Sequence, residues 1–184
     1  MKTTAELHAA LMHFLKESGE DTTRADLADT PRRFSEMLHY FTQGNRVSVE
    51  GLFEGALLPA THKGMVVVKD LQFSSLCEHH LLPFSGRCHV GYLPNQYWIG
   101  LSRLGKIVER LAHRLQIQER LTADIATAIQ VGLQAQGVAV MVTGEHFCMR
   151  LRCGEQAATS VTTTHWQGAF ETQPELQMGF LQQI

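Results

Sequence analysis

A chain of 184 residues, 44% of them hydrophobic, can bury one sizeable core and has the usual size of a single domain. A formal net charge of −2 gives no basic footprint for nucleic acid, and four cysteines are too few for a disulfide scaffold. No apolar run approaches the roughly 18 residues of a membrane span, and Met1-Lys2-Thr3-Thr4-Ala5-Glu6 lacks a signal-peptide pattern. A cytoplasmic protein with no nucleic-acid and no membrane partner is expected.

In chain order, Leu7, Leu11, Met12, Phe14 and Leu15 recur at helical spacing, which predicts an amphipathic helix over residues 4–17. Thr30-Pro31 reads as an N-cap followed by proline at the first helical position. Phe34, Met37, Leu38 and Phe41 supply that helix's apolar stripe, and Gly44 stops it. Residues 45–63 have no clear period and read as a linker. The expected division is an N-terminal helical segment and linker over 1–60 and a body over 61–184.

The body opens with a β-branched strand, Met65-Val66-Val67-Val68, and a second strand from Gly86 to Tyr92. Two helices follow. One carries Leu101, Leu104, Ile107, Val108, Leu111 and Leu115 on a single face. The other carries Leu121, Ile125, Ala128, Ile129 and Leu133 and ends at Gly137. Val138–Val142, His146–Arg152 and Ser160–Thr164 read as strands, and Pro174–Leu181 as a short helix. This order predicts an α+β fold of antiparallel strands with the helices on one face.

Chemistry concentrates in two places. Cys77-Glu78-His79-His80 packs a thiol and two imidazoles into four residues, and His146-Phe147-Cys148 repeats the pairing farther along. Thiolate and neutral imidazole are zinc donors, and a catalytic zinc site takes three protein ligands and leaves one position for water. Cys77, His80 and Cys148 would supply that set, with His79 and His146 as adjacent acid–base groups. Adjacent His79 and His80 could exchange roles, although strand alternation favours only one of them as ligand. Isolated residues of these types are usually buried cysteines and satisfied core histidines. Two clusters that each pair Cys with His weaken that reading. Cys88 reads as a buried structural cysteine.

The segments Cys77–Gly86 (CEHHLLPFSG), His89–Pro94 (HVGYLP), Gly100–Arg103 (GLSR), Gln118–Thr122 (QERLT) and His146–Arg152 (HFCMRLR) resemble, in order, the signatures of GTP cyclohydrolase I. Asp29–Arg33 and Thr162–Thr164 extend the likeness over nearly the whole chain. The resemblance implies the tunnelling fold, a four-stranded antiparallel sheet with two helices, assembled as a homodecamer of two stacked pentamers with inter-subunit sites. It implies conversion of GTP and water to formate and 7,8-dihydroneopterin triphosphate, the first step of pterin and tetrahydrofolate biosynthesis, with one zinc per subunit. The family pattern selects His80 as the third ligand.

The residue types suit that chemistry. Water attacks C8 of guanine poorly unless N7 is protonated, and His146 is the candidate to deliver the proton. His79 would bind ribose or relay protons later. Glu119 can accept from N1–H and the exocyclic amine of guanine, a pair that adenine does not offer in that arrangement. By itself Glu119 would be an ordinary first-turn glutamate favoured by the helix dipole. Gln118 is expected to orient substrate polar groups and Ser102 to contact ribose. Arg103, Lys106 and Arg152 match the family's phosphate positions, with Arg33 a fourth contributor.

Three features depart from the family pattern. Arg103 and Lys106 stand where the family usually has lysine and arginine, and Cys153 follows Arg152 where glycine is usual. Gly105 sits inside a helical stripe. Guanidinium and ammonium are not equivalent around a phosphate. The leading reading, a zinc-dependent cyclohydrolase, therefore stands beside a divergent paralogue acting on a related purine nucleotide in a specialised pterin or deazapurine pathway. A non-catalytic zinc-stabilised assembly is the weakest reading, since structural zinc takes four protein ligands.

Overall fold

The computed structural model describes residues 2–151 and 159–184, which form two compact units that meet in sequence at Thr42/Gln43. The first holds helices α1 (Lys2–Glu17) and α2 (Thr30–Thr42), packed on one another. Arg32 ties the start of α2 together, pairing with Asp29 at 3.0 Å and Glu36 at 2.8 Å. None of the helices among the described residues is long and apolar enough to cross a membrane.

The second unit is built on strands β1 (Leu57–Pro59), β2 (Val66–Cys77), β3 (Pro83–Leu93) and β4 (Tyr97–Ile99), followed by α3 (Leu101–Ala112), β5 (Leu115–Gln116) and α4 (Gln118–Leu133). The chain continues through β6 (Gly137–His146), α5 (Phe147–Arg150), β7 (Ser160–Gly168), α6 (Ala169–Thr172) and α7 (Pro174–Leu181). The main sheet has the order β5-β2-β3-β6-β7. Its four long strands are antiparallel, and β5 adds only Leu115 and Gln116, parallel to the end of β2.

Alternation along β6 sorts the two faces. Val138, Val140 and Val142 join the core beneath the helices with Leu104, Ile107, Leu121, Ile125 and Ile129. Ala139 and Met141 face the other way, against Phe170, Phe180 and Trp166. α3 packs on β2, α4 on β6 and β7, and the two helices on one another. The α+β order and the antiparallel four-stranded sheet thus match the sequence expectation.

Several boundaries differ from it. The segment 45–63 is not a bare linker: it contains 3-10 turns and β1, paired with β4, and buries Val49, Phe53 and Ala56 in the core. α3 ends at Ala112, where the Ser75 hydroxyl donates to the Ala112 carbonyl at 2.6 Å, so Leu115 falls in β5 and is exposed. α4 ends at Leu133 because Gln134 takes the left-handed cap conformation (φ 47°), and Gly137 instead opens β6. The expected strand over His146–Arg152 is absent: β6 stops at His146 and Phe147–Arg150 form a helical turn. Finally, β2 carries a bulge between Val68 and Leu71, with Asp70 at φ 57°. Asp70 donates its backbone N–H to His89 Nδ1 (3.3 Å) and accepts from Arg87 Nη1 (2.9 Å).

Candidate functional site

The end of β2 curls into a tight turn. Leu81 donates its N–H to the Cys77 carbonyl at 2.8 Å and adopts φ 54°, while Cys77 donates to Leu82 at 2.9 Å. This turn lifts His80 over the buried Cys77, with His80 Nδ1 3.9 Å from Cys77 Sγ. Glu78 fastens it to α4 through a two-armed ion pair with Arg120, at 2.6 and 3.0 Å, and the guanidinium holds the Glu78 carboxyl below its usual range. The sequence reading missed this pair, and its members lie 42 residues apart.

The second cluster arrives along β6. His146 sits opposite Phe84 in the sheet register, and the two rings stack 4.6 Å apart and nearly parallel. The helical turn after His146 then brings Cys148 to the end of β2. Ligand atoms of Cys77, His80 and Cys148 all lie within 4.8 Å of one another. Tetrahedral zinc, with Zn–S about 2.3 Å and Zn–N about 2.0 Å, spaces its donors roughly 3.5–3.8 Å apart, so the set fits after small adjustments. His79 is not part of it. Its side chain is 64% exposed, with Nε2 3.9 Å from the Glu78 carboxylate. Burial and the adjoining Cys77 thiol push the Cys148 thiol above its ordinary range, a cost that a bound cation reverses.

A cavity of about 220 Å³ adjoins the triad, and Cys77, His79, Gln118, Glu119, His146 and Cys148 line it. Burial lowers the His146 pKa, with Glu119 pulling the other way. Glu119 is exposed in the first turn of α4, whereas Gln118 beside it is 1% exposed and accepts from His146 Nε2 at 2.9 Å. Cys88 is fully buried, and burial alone raises its thiol pKa, consistent with an inert core position.

The ribose and phosphate candidates of α3 are not among the cavity's lining residues. Ser102, Arg103 and Lys106 occupy the first half of α3, whose other end leads into β5 beside Cys77, and none of them lines the cavity. Arg33 belongs to the first compact unit and ion-pairs with Asp29 at 3.6 Å. Arg152 and Cys153 fall outside the described residues.

A family model described as GTP cyclohydrolase I matches residues 7–184. A relative named GTP cyclohydrolase 1 from Methylococcus capsulatus is 45% identical over 170 residues, covering 92% of each chain. Relatives with the same name from Dictyostelium discoideum (44% identical, 90% of this chain, 71% of the relative) and Rattus norvegicus (41%, 95% and 73%) are similar. Among solved structures, the apo crystal structure of the archaeosine synthase QueF-Like matches with a TM-score of 0.50 at 17% identity. It covers 59% of this chain and 98% of that one, a likeness of fold alone.

Proposed function

The chain belongs to the GTP cyclohydrolase I family, and on that premise we propose that it converts GTP and water to formate and 7,8-dihydroneopterin triphosphate, opening a pterin and tetrahydrofolate pathway. One observation carries the reading: Cys77 and Cys148, an imidazole held by a buried amide and an exposed carboxylate line a single cavity, and the third zinc-type donor, His80, lies within 4.8 Å of the two thiols.

Cys77, His80 and Cys148 would hold one zinc per chain, and zinc there supplies a Lewis acid that makes hydroxide available near neutral pH. His146 delivers a proton to the imidazole ring of guanine, which makes C8 electrophilic. Its lowered pKa favours release of that proton once given. Glu119 accepts from N1–H and the exocyclic amine of the base, so adenine would leave a carboxylate oxygen facing no donor. His79, on the exposed rim, binds ribose or relays protons during ribose opening and rearrangement.

Ser102 for ribose, and Arg103, Lys106, Arg152 and Arg33 for the triphosphate, complete the assignment. Because Ser102, Arg103 and Lys106 stand away from the cavity within one chain, neighbouring subunits supply that end of the site. The proposed assembly is a homodecamer of two stacked pentamers. Two open sheet edges support it: among the described residues β7 pairs only with β6, and β2 pairs on its outer side only at Leu76 and Cys77. Two adjacent thiols at the site suit a reducing cytoplasm.

Incubation with GTP, ATP and guanosine, following formate and pterin fluorescence, tests the proposal. GTP alone should yield both products. Turnover of ATP, or none of GTP by zinc-loaded protein, would overturn it.

A further inference from the structure

The Gln118 amide faces two groups of opposite demand. Its Nε2 lies 3.1 Å from the Val142 carbonyl, 2.9 Å from the Val161 carbonyl and 3.2 Å from Thr163 Oγ1, so its two hydrogens serve three acceptors and one of them is shared. Its Oε1 faces His146 Nε2. The reverse amide orientation would set Oε1 against two carbonyl oxygens with no hydrogen between them, so only one orientation is satisfied.

The hydroxyls close the argument. Thr122 Oγ1 donates to the Gln118 backbone carbonyl at 2.7 Å, so its single proton is committed. At the 2.6 Å contact between Thr122 and Thr163, Thr163 must therefore donate, which leaves Thr163 Oγ1 to accept from Gln118 Nε2. The bonds run one way around a ring: Gln118 amide to Thr163, to Thr122, to the Gln118 carbonyl. Gly144 leaves room for it, since a Cβ there would stand 2.6 Å from Gln118 Oε1.

We propose that this ring makes Gln118, Thr163 and Thr122 positioning residues that lock neutral His146 as the Nε2–H tautomer, so that Nδ1 is the nitrogen that exchanges protons with substrate. Gln118 Oε1 can only accept, so His146 Nε2 keeps its hydrogen throughout. The imidazolium gives its Nδ1 proton to the acceptor atom of the substrate and returns to the Nε2–H form. Stacking on Phe84 holds the ring plane while this happens. Gln118 then acts on His146, and its amide is not available to the substrate. The role in catalysis rests on the cyclohydrolase reading; the tautomer lock does not.

The test is ¹⁵N NMR of histidine-labelled, zinc-loaded full-length chain at about pH 8.5, some 2 units above the ordinary imidazole pKa. The parent should show His146 protonated at Nε2 alone. Gln118→Leu should give a mixture of tautomers, Thr163→Val should raise the minor form, and Thr163→Ser should restore the parent spectrum. An Nδ1–H form in the parent, or a Gln118→Leu spectrum like the parent's, would overturn the lock. Identical spectra for Thr163→Val and the parent would overturn the ring. The parent spectrum needs no variant to fold. Failure to release formate from GTP with the Nε2–H form intact would count against the cyclohydrolase reading and leave the lock standing.

Discussion

Cys148 is half-buried on a single helical turn, so its replacement disturbs little packing while removing one of three donors. Cys148→Ser is expected to lose zinc and turnover yet stay folded; stoichiometric zinc by mass spectrometry with normal turnover would refute the ligand assignment. On the proposed reading of the site, Glu119→Gln keeps one oxygen and turns a donor towards guanine. It should weaken GTP binding by about 2–5 kcal/mol, roughly 30-fold or more, as titration calorimetry would read. His113 supplies a pH dependence of stability. It is 5% exposed, accepts from Gln43 Nε2 at 3.2 Å, and burial lowers its pKa below the ordinary value of 6.5. A His held neutral in the fold contributes stability above the unfolded pKa and loses it as pH falls. The melting temperature should therefore drop from pH 7.5 to 5.5, and His113→Gln should flatten that slope. The cluster of Cys77, His80 and Cys148 was legible in the sequence because each Cys–His pair is local. The Gln118 ring was not, because apart from Thr122 on the same helix the amide's partners lie on strands 24 to 45 residues away.

The long helices announced themselves through periodicity, but the ends of α3 and α4 did not, and β2, expected over Met65–Val68, runs on to Cys77. The stripe Leu104, Ile107, Val108, Leu111 names the buried face of α3, but a hydroxyl from β2 decides where that helix stops, and nothing near Leu115 in sequence reports it. Likewise a left-handed Gln134, rather than a glycine, ends α4. The turn after His146 was misread as strand because the surrounding residue types suit either state, and contact between Cys148 and Cys77 depends on tertiary structure. Gly105 offers a test at this scale. A Cβ added there meets nothing nearer than Leu71 Cδ2 at 4.0 Å, so no packing reason requires glycine within α3. Gly105→Ala should stabilise the chain by about 0.5–1 kcal/mol and raise the melting temperature by roughly 1–4 °C. A lower melting temperature would show that the glycine serves contacts beyond the single chain.

At the scale of the molecule, the cations of α3 do not line the cavity of their own chain, so the phosphate role proposed for them requires the proposed assembly. Lys106→Ala should raise KM for GTP several-fold while barely affecting guanosine affinity, and the difference should shrink as salt rises. If the pocket is adapted to the exchanged order, Arg103→Lys and Lys106→Arg should each impair GTP kinetics, with the double variant partly restored. Negligible, additive effects would mark the pair as a solvated helix face. For the proposed ring assembly, the bulge at Asp70 bears on the number of chains. A bulge adds right-handed twist to its strand, and among the described residues the outer side of that strand is paired only at Leu76 and Cys77, by β5. Joining unlike edges, β7 of one chain to β2 of the next, has no inherent stopping point. It closes into a ring only when the rotation per step divides a full turn, and otherwise grows into a filament. Deleting Asp70 restores regular pairing between β2 and β3 and takes away part of that rotation. Native mass spectrometry should then find a changed subunit count, or electron microscopy open filaments, in chains that still bind zinc. An unaltered count would place the control of closure elsewhere in the sheet.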